Sequence, residues 1–238
     1  MFYSKLILKI LNFFDFFQQR KIIKLINSRF SKPIIVFDIG AHHGETIKLF
    51  CKNLSIKKIY SFEASPQNYQ ILEKNFSSFQ TDKVEIYNYG IGDKISKDFI
   101  NQTIESSSST INKLNKNSKY FEKKLRVLNV EKESFYQKLP ITILTLDHFI
   151  EKNHIENIDL IKIDTEGYEL NVLKGLKKYL SKVDVILFEH HFDSSLIKNY
   201  KFSDIHNFLK ENNFRKTLKN KMMFRKIFEY IYINKTQY

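Results

Sequence analysis

Val36-Phe37-Asp38-Ile39-Gly40-Ala41-His42-His43-Gly44-Glu45-Thr46-Ile47 holds an apolar run, an acid, two glycines and then a new apolar period. The run reads as a buried strand and the segment after Gly44 as a helix, so the glycines lie in a tight strand-to-helix turn. Gly40 lets the chain turn sharply, Gly44 opens a helix whose free amides favour a carboxylate or hydroxyl, and Asp38 adds an acceptor for an ammonium or hydroxyl. The turn is not G-x-G-x-x-G, because Ala41 and His42 follow Gly40. A second acid, Glu63, ends the next candidate strand about twenty residues on, where a carboxylate can take both ribose hydroxyls. Ser65-Pro66 behind it supplies an N-cap and a first-turn proline.

Working outward, short apolar runs alternate with helical stretches. The candidate strands are Ile34 to Asp38, Lys57 to Phe62, Val84 to Asn88, Ile158 to Ile163 and Val183 to Phe188. The candidate helices are Gly44 to Lys52, Pro66 to Phe76, Leu146 to Lys152, Tyr168 to Tyr179 and Ser203 to Asn212. This alternation predicts an α/β fold, a Rossmann-like doubly wound, mostly parallel sheet with helices on both faces. Phe214 to Leu218 and Ile227 to Ile233 read as consecutive strands, so an antiparallel pair closes one edge and brings the sheet to seven strands. The polar stretch from Lys97 to Leu139, with Ser106 to Ser109, is too long for a simple connection and reads as a lid or a disordered insertion, about residues 97–140.

Glycine is scarce: 6 in 238 residues, against roughly 17 at average usage. Gly40, Gly44, Gly90, Gly92 and Gly167 all fall just beyond strand ends, the edge at which open α/β sheets bind ligands.

The net charge of +13 is unevenly placed: +5 on residues 1–30, +7 on 198–238 and +1 on the 167 between. Excess confined to the ends points to a polyanionic surface met at the periphery rather than a basic catalytic groove. Only five of 39 basic residues are Arg, which weighs against nucleic acid as a partner; a skewed genomic base composition accounts equally well for the lysines. Residues 1–30 read as an amphipathic basic helix, Phe-rich and without Gly or Pro, suited to lying in an anionic membrane interface or to packing on the domain that follows. No apolar run in them reaches the roughly 18 residues of a membrane span. The single cysteine, Cys51, forms no internal bridge, so the expectation is a reducing, cytoplasmic setting with peripheral membrane contact at most.

At this point the chain resembles the class I S-adenosylmethionine-dependent methyltransferases, and among them the FkbM family. The resemblance rests on VFDIGAHHGET, YSFEASPQNYQIL, YNYGIGD, ITILTLDHFI, VILFEHH and above all IDLIKIDTEGYELNVLKGL, with its D-x-E-G-x-E block Asp164 to Glu169. It spans about residues 34 to 192. His42-His43 stands where such sequences more often have Asn and an apolar residue. The resemblance implies O-methyl transfer to sugars of glycans or related small molecules, with S-adenosylmethionine as cofactor. By motif position Asp38, Gly40 and Gly44 would meet its methionine end, Glu63 its ribose and the Gly92-Asp93 turn its adenine, with Ala41, His43 and Ala64 also among the cofactor-binding residues.

The chemistry is readable beside that name. Prolines occur only at 33, 66 and 140, so neither an Asp/Asn-Pro-Pro-aromatic motif for base amines nor a Pro-Cys nucleophile for pyrimidine C5 exists. An alcohol acceptor needs a base at the strand edge, and the candidates are Asp164, Glu166 and His190, with Glu189 and His191 beside them. A hard divalent ion on Asp164, Glu189 and a histidine is an alternative that no tighter ligand spacing favours. Two other functions compete: a nicotinamide-dependent oxidoreductase, for which Tyr120 and Lys124 supply Y-x-x-x-K, and a non-catalytic membrane-surface protein using the basic ends.

Overall fold

The computed structural model describes residues 18–77, 82–223 and 225–236. In chain order the elements are helix α1 (18–29), strand β1 (Ile34–Ile39), α2 (Glu45–Asn53), β2 (Ile56–Phe62), α3 (Pro66–Ser77), β3 (Val84–Tyr87), β4 (Gly90–Ile91), β5 (Ser96–Thr103), β6 (Lys113–Leu114), α4 (Lys119–Leu128), β7 (Tyr136–Leu144), α5 (Leu146–Lys152), β8 (Ile158–Ile163), α6 (Glu169–Lys174), β9 (Val183–His191), β10 (Leu196–Ile197), α7 (Phe202–Glu211), β11 (Phe214–Lys221) and β12 (Ile227–Asn234).

Seven strands form the main sheet in the order β11-β12-β9-β8-β1-β2-β3. The pairs β9-β8, β8-β1, β1-β2 and β2-β3 are parallel, while β12 runs antiparallel to both β9 and β11. The apolar strand runs of the sequence are buried on both faces, as a doubly covered parallel sheet requires. Phe37, Ile39, Ile163, Ile186 and Phe188 pack against α5, α6 and α7, whereas Ile34, Val36, Leu160, Val185 and Leu187 pack against α1, α2 and α3. Successive strand residues therefore serve opposite cores, the period of two that decides which charged side chains meet at the carboxyl edge.

The stretch from 96 to 144 is ordered as a second sheet, in which β7 pairs with β4 in parallel and with β5 antiparallel; α4 and a short β6–β10 pair lie beside it. The sequence hides β5, because its SKDFINQT pattern buries little before Ile100.

Of the amino-terminal helix, residues 18–29 are described and 1–17 are not. Ile22 and Ile26, 3 % and 1 % exposed, share the core of β1, β8 and β9. Arg29 donates from Nε and Nη2 to both carboxylate oxygens of Asp184 at 2.9 and 2.8 Å. The boundary drawn at residue 30 from composition is therefore no break in packing: in 18–29 the apolar face is taken up by the sheet. Among the described residues no helix is long and apolar enough to cross a membrane. Ile26→Ala should cost about 2 to 5 kcal/mol, the usual range for emptying such a core site, and lower the Tm by roughly 5 to 15 °C. A Tm unchanged in differential scanning calorimetry would show that α1 is not part of the fold's core.

Candidate functional site

The carboxyl edge of β1 turns within a space fixed by its neighbours. The amide of Asp164 donates to the carbonyl of Ile39 at 2.9 Å, and the amides of Gly40 and Ala41 donate to the carbonyl of Phe62 at 2.9 and 3.0 Å. A Cβ on Gly40, whose φ is +89°, would sit 1.8 Å from the Asp164 carbonyl oxygen. The turn thus presses on the end of β8, and only glycine fits.

A cleft opens beside this turn, lined by Gly40, Ala41, His42, Glu63, Ala64, Asn68, Gly90, Ile91, Lys162, Asp164 and Glu166, with Ser106 to Thr110 folded over it. Glu63 is 5 % exposed, and its two oxygens accept from the amides of His42 at 2.8 Å and Ser65 at 2.9 Å. Burial pushes its carboxyl up to about 7 against the pull of those two amides. The loop above is tied down at three points. Ser106 Oγ is 2.8 Å from His42 Nε2, Asn68 Nδ2 donates to the Ser106 carbonyl at 3.4 Å, and Thr110 Oγ1 donates to the Glu166 carbonyl at 2.7 Å.

Below the cleft floor Asp38 is fully buried, with the Ser61 hydroxyl beside its carboxylate. Lys162 stands between Asp38 and the cleft, its Nζ 3.8 Å from Asp38 Oδ1 and 3.1 Å from Asp164 Oδ2. Burial raises the Asp38 carboxyl to about 6, opposed by the Lys162 charge; the Lys162 ammonium is held above its ordinary value by Asp164 and Asp38 in spite of its own burial. An acid raised on folding favours the fold while protonated. That contribution is complete below its ordinary value near 3.8 and is lost as the pH rises through about 6. Asp38→Asn should accordingly match the wild type in thermal stability at pH 4 and exceed it at pH 8. A variant less stable at pH 8 would show that the buried charge is compensated.

Beyond Asp164 the chain enters two left-handed residues, Glu166 at φ +50° and Gly167 at φ +90°. The strained turn is held by Thr110 and by Asn112, whose Nδ2 donates to the carbonyls of Glu166 and Gly167 at 3.4 and 2.5 Å. It carries the Glu166 carboxylate to 3.3 Å from His191 Nε2, which also meets Glu189 at 3.0 Å, while His191 Nδ1 lies 3.4 Å from Asp193. Three carboxylates around one imidazole hold His191 protonated, up to about 11 even though burial opposes the charge. Burial pushes the Glu166 and Glu189 carboxyls upward against the pull of the His191 charge, with Glu189 adding repulsion at Glu166 and Asp164 adding it at both.

Of the predicted residues, Gly40, Ala41, Glu63, Ala64, Asp164 and Glu166 line the cleft, and six do not. Asp38 lies one layer deeper and acts through Lys162. His43 is not in the wall; its ring stacks on His42 and its carbonyl accepts from Asn75. A Cβ on Gly44 would meet Phe76 and Leu72, so that glycine serves the packing of α2 on α3. Gly92 and Asp93 are displaced because pairing of β4 with β7 carries the chain away after Ile91; Gly92 packs against Tyr168 and Gly175 and Asp93 is exposed, leaving Gly90 and Ile91 in the wall. His190 is corrected by strand alternation: it points to the face opposite Glu189 and His191, is 3 % exposed, and packs among Phe192, Tyr200 and Phe202 with Glu169 at 3.5 Å. Glu169 is a buried anchor, accepting from the Gly167 amide at 2.7 Å and from the Tyr200 hydroxyl. Tyr120 and Lys124 are on α4, outside this cleft. Sequence reasoning missed Lys162, a lone cation inside an apolar strand run, and Asn68, hidden in a helix.

Glu166, Glu189 and His191 place one donor atom each within 4.8 Å of one another, as do His42, His43 and Glu45. Either set could hold a hard or borderline divalent ion by donor type.

Residues 38–216 match the methyltransferase FkbM domain. The chain belongs to the FkbM methyltransferase family. Hexuronic acid methyltransferase AglP of Haloferax volcanii is 24 % identical over 174 residues, 73 % of this chain and 62 % of that protein. The chain thus spans less than two thirds of this curated relative. Among solved structures, methyltransferase FkbM from Methylobacillus flagellatus KT superposes with a TM-score of 0.56 at 15 % identity, covering 86 % of this chain and 44 % of that one. An rRNA methylase from Streptococcus thermophilus gives 0.51 at 11 % identity over 90 % and 94 % of the two chains. At these identities the structural likenesses speak for a shared fold.

Proposed function

We propose that this FkbM-family protein transfers the methyl group of S-adenosylmethionine to a hydroxyl oxygen of a sugar. The observation that carries the reading is one cleft joining Glu63 at the end of β2 with Asp164 and Glu166 beyond β8 across the Gly40 turn. The sugar class is supported by the hexuronic acid methyltransferase among the relatives.

The donor set fits this cofactor: a nearly buried acid at the end of β2, small and apolar residues beside it, and a charged triad by the turn. Glu63, fixed by two backbone amides, takes the ribose hydroxyls. Ala64, Gly90 and Ile91 form the wall for the adenine. Lys162 offers its charge to the amino-acid carboxylate, with Asp164 beside it for the ammonium. When bound, the cofactor supplies an electrophilic methyl carbon whose bond to sulfur breaks as the bond to the acceptor oxygen forms. Glu166 would take the hydroxyl proton, its carboxylate held in place by His191, which Glu189 in turn orients.

Methyl-labelled S-adenosylmethionine and a panel of saccharides should yield labelled sugar whose methyl group survives mild alkali, as an ether does and an ester does not. Absence of transfer, or an alkali-labile label, would contradict O-methylation of a hydroxyl.

A further inference from the structure

Glu166 has two sides. One faces the first cleft; the other, with His191, lines a small inner cavity that also touches Tyr120, Lys124 and Phe135. Tyr120 and Lys124 in turn wall a wider outer groove between α4, the turn at Phe192 to Ser194, and the connection of β11 to β12 at Arg225 to Ile227. A group entering from this groove therefore reaches Glu166 by way of the inner cavity, whose wall does not include Glu63.

The groove is cationic. Lys119, Lys123, Lys124, Arg225 and Lys226 line it against two acids, Glu105 and Asp193. Both acids are already engaged, Glu105 with Lys124 at 2.5 Å and Asp193 with His191 at 3.4 Å. Lys119, Lys123 and Lys226 have no ion-pair partner among the described residues. Two aromatic rings stand in the same groove with much of their surface in water, Tyr120 at 45 % and Phe192 at 46 % exposed. Ammonium groups recognise carboxylate or phosphate by charge-assisted hydrogen bonds, and an exposed ring offers an apolar, electron-rich face to the C–H side of a sugar.

We propose that this groove is the acceptor subsite and that it takes an anionic saccharide, one carrying a carboxylate or a phosphate, so that a ring hydroxyl reaches Glu166 through the passage between Tyr120 and Lys124. The inference rests on the methyl-transfer reading for the role of Glu166, but the binding it describes is measurable without turnover. The cations ring one groove that shares Tyr120 and Lys124 with the inner cavity at Glu166, which suits a sugar better than the track of a polynucleotide.

The test is calorimetric titration of the full chain, with and without S-adenosylhomocysteine, against methyl β-glucuronide, glucose 1-phosphate, the neutral methyl β-glucoside and a short single-stranded RNA. At least one anionic sugar should bind, the neutral one at least about tenfold more weakly, and the anionic binding should weaken with salt. The triple variant K119A/K123A/K226A, all exposed side chains, should lose about tenfold or more for the anionic sugar and nothing for S-adenosylhomocysteine. The preferred anionic probe separates a carboxylate source from a phosphate source. Equal affinity for neutral and anionic sugars, no saccharide binding, an unaffected triple variant, or RNA binding more tightly than either sugar would overturn the proposal. If S-adenosylhomocysteine fails to bind while the triple variant still abolishes sugar binding, the cofactor reading falls and the groove stands.

Discussion

Gly40→Ala should leave little or no folded, ligand-binding protein. The added Cβ would lie 1.8 Å from the backbone oxygen of Asp164, and the residue would have to hold a φ of +89°. Neither partner can give way cheaply, because the Asp164 amide is itself bonded to the Ile39 carbonyl and both neighbours are central strands of the sheet. Clash plus left-handed strain places the cost at about 4 kcal/mol or more, in the tail of single-substitution effects. Any protein recovered should melt more than roughly 10 °C early. Gly44→Ala is the control: it shares the positive φ but meets the side chains of Phe76 and Leu72, which can shift, so its loss should be smaller. Wild-type melting and S-adenosylhomocysteine binding in Gly40→Ala would contradict the packing of the turn on β8.

The second large effect is on turnover. Glu166→Gln keeps the shape of the side chain and should lower kcat by about a hundredfold or more, the usual scale for a general base, with a Tm within a few degrees of the wild type. Burial and the neighbouring Glu189 raise the Glu166 carboxyl, opposed by the His191 charge, to about 8. A base acts only when deprotonated, so wild-type kcat should climb with pH toward that value and level off above it. The variant should lack that limb. Asp164→Asn, by contrast, disturbs a group that accepts from Lys162 at 3.1 Å, and should act mainly on cofactor affinity. A pH limb that survives in Glu166→Gln would move the base to Glu189 or Asp164.

The framework was legible because its signals are local. A strand run ending in Asp38-Ile39-Gly40 and a second ending in Phe62-Glu63 give two neighbouring strand ends whatever the rest of the chain does, and the tail reads as strands from its own apolar pattern. Side-chain direction was also in the sequence, though it needs the register of β9: Leu187, Glu189 and His191 share one face, and His190 follows Phe188 to the other. Place at the strand end alone therefore could not separate His190 from His191. Gly92 falls outside the cleft because what moves it aside is tertiary, its carbonyl lying against Gly175 of the α6 end. The same holds for the Ser106 to Thr110 cover, whose polar sequence leaves lid and disordered insertion open until His42, Asn68 and Glu166 are seen to hold it.

Calorimetric titration of the wild-type chain with S-adenosylhomocysteine and with NAD, repeated on Glu63→Ala, tests the central claim most directly. The wild type should bind S-adenosylhomocysteine and ignore NAD, and Glu63→Ala should bind more weakly by about 1 to 3 kcal/mol, the worth of charge-assisted bonds to the ribose. Tight NAD binding with no response to S-adenosylhomocysteine would contradict it.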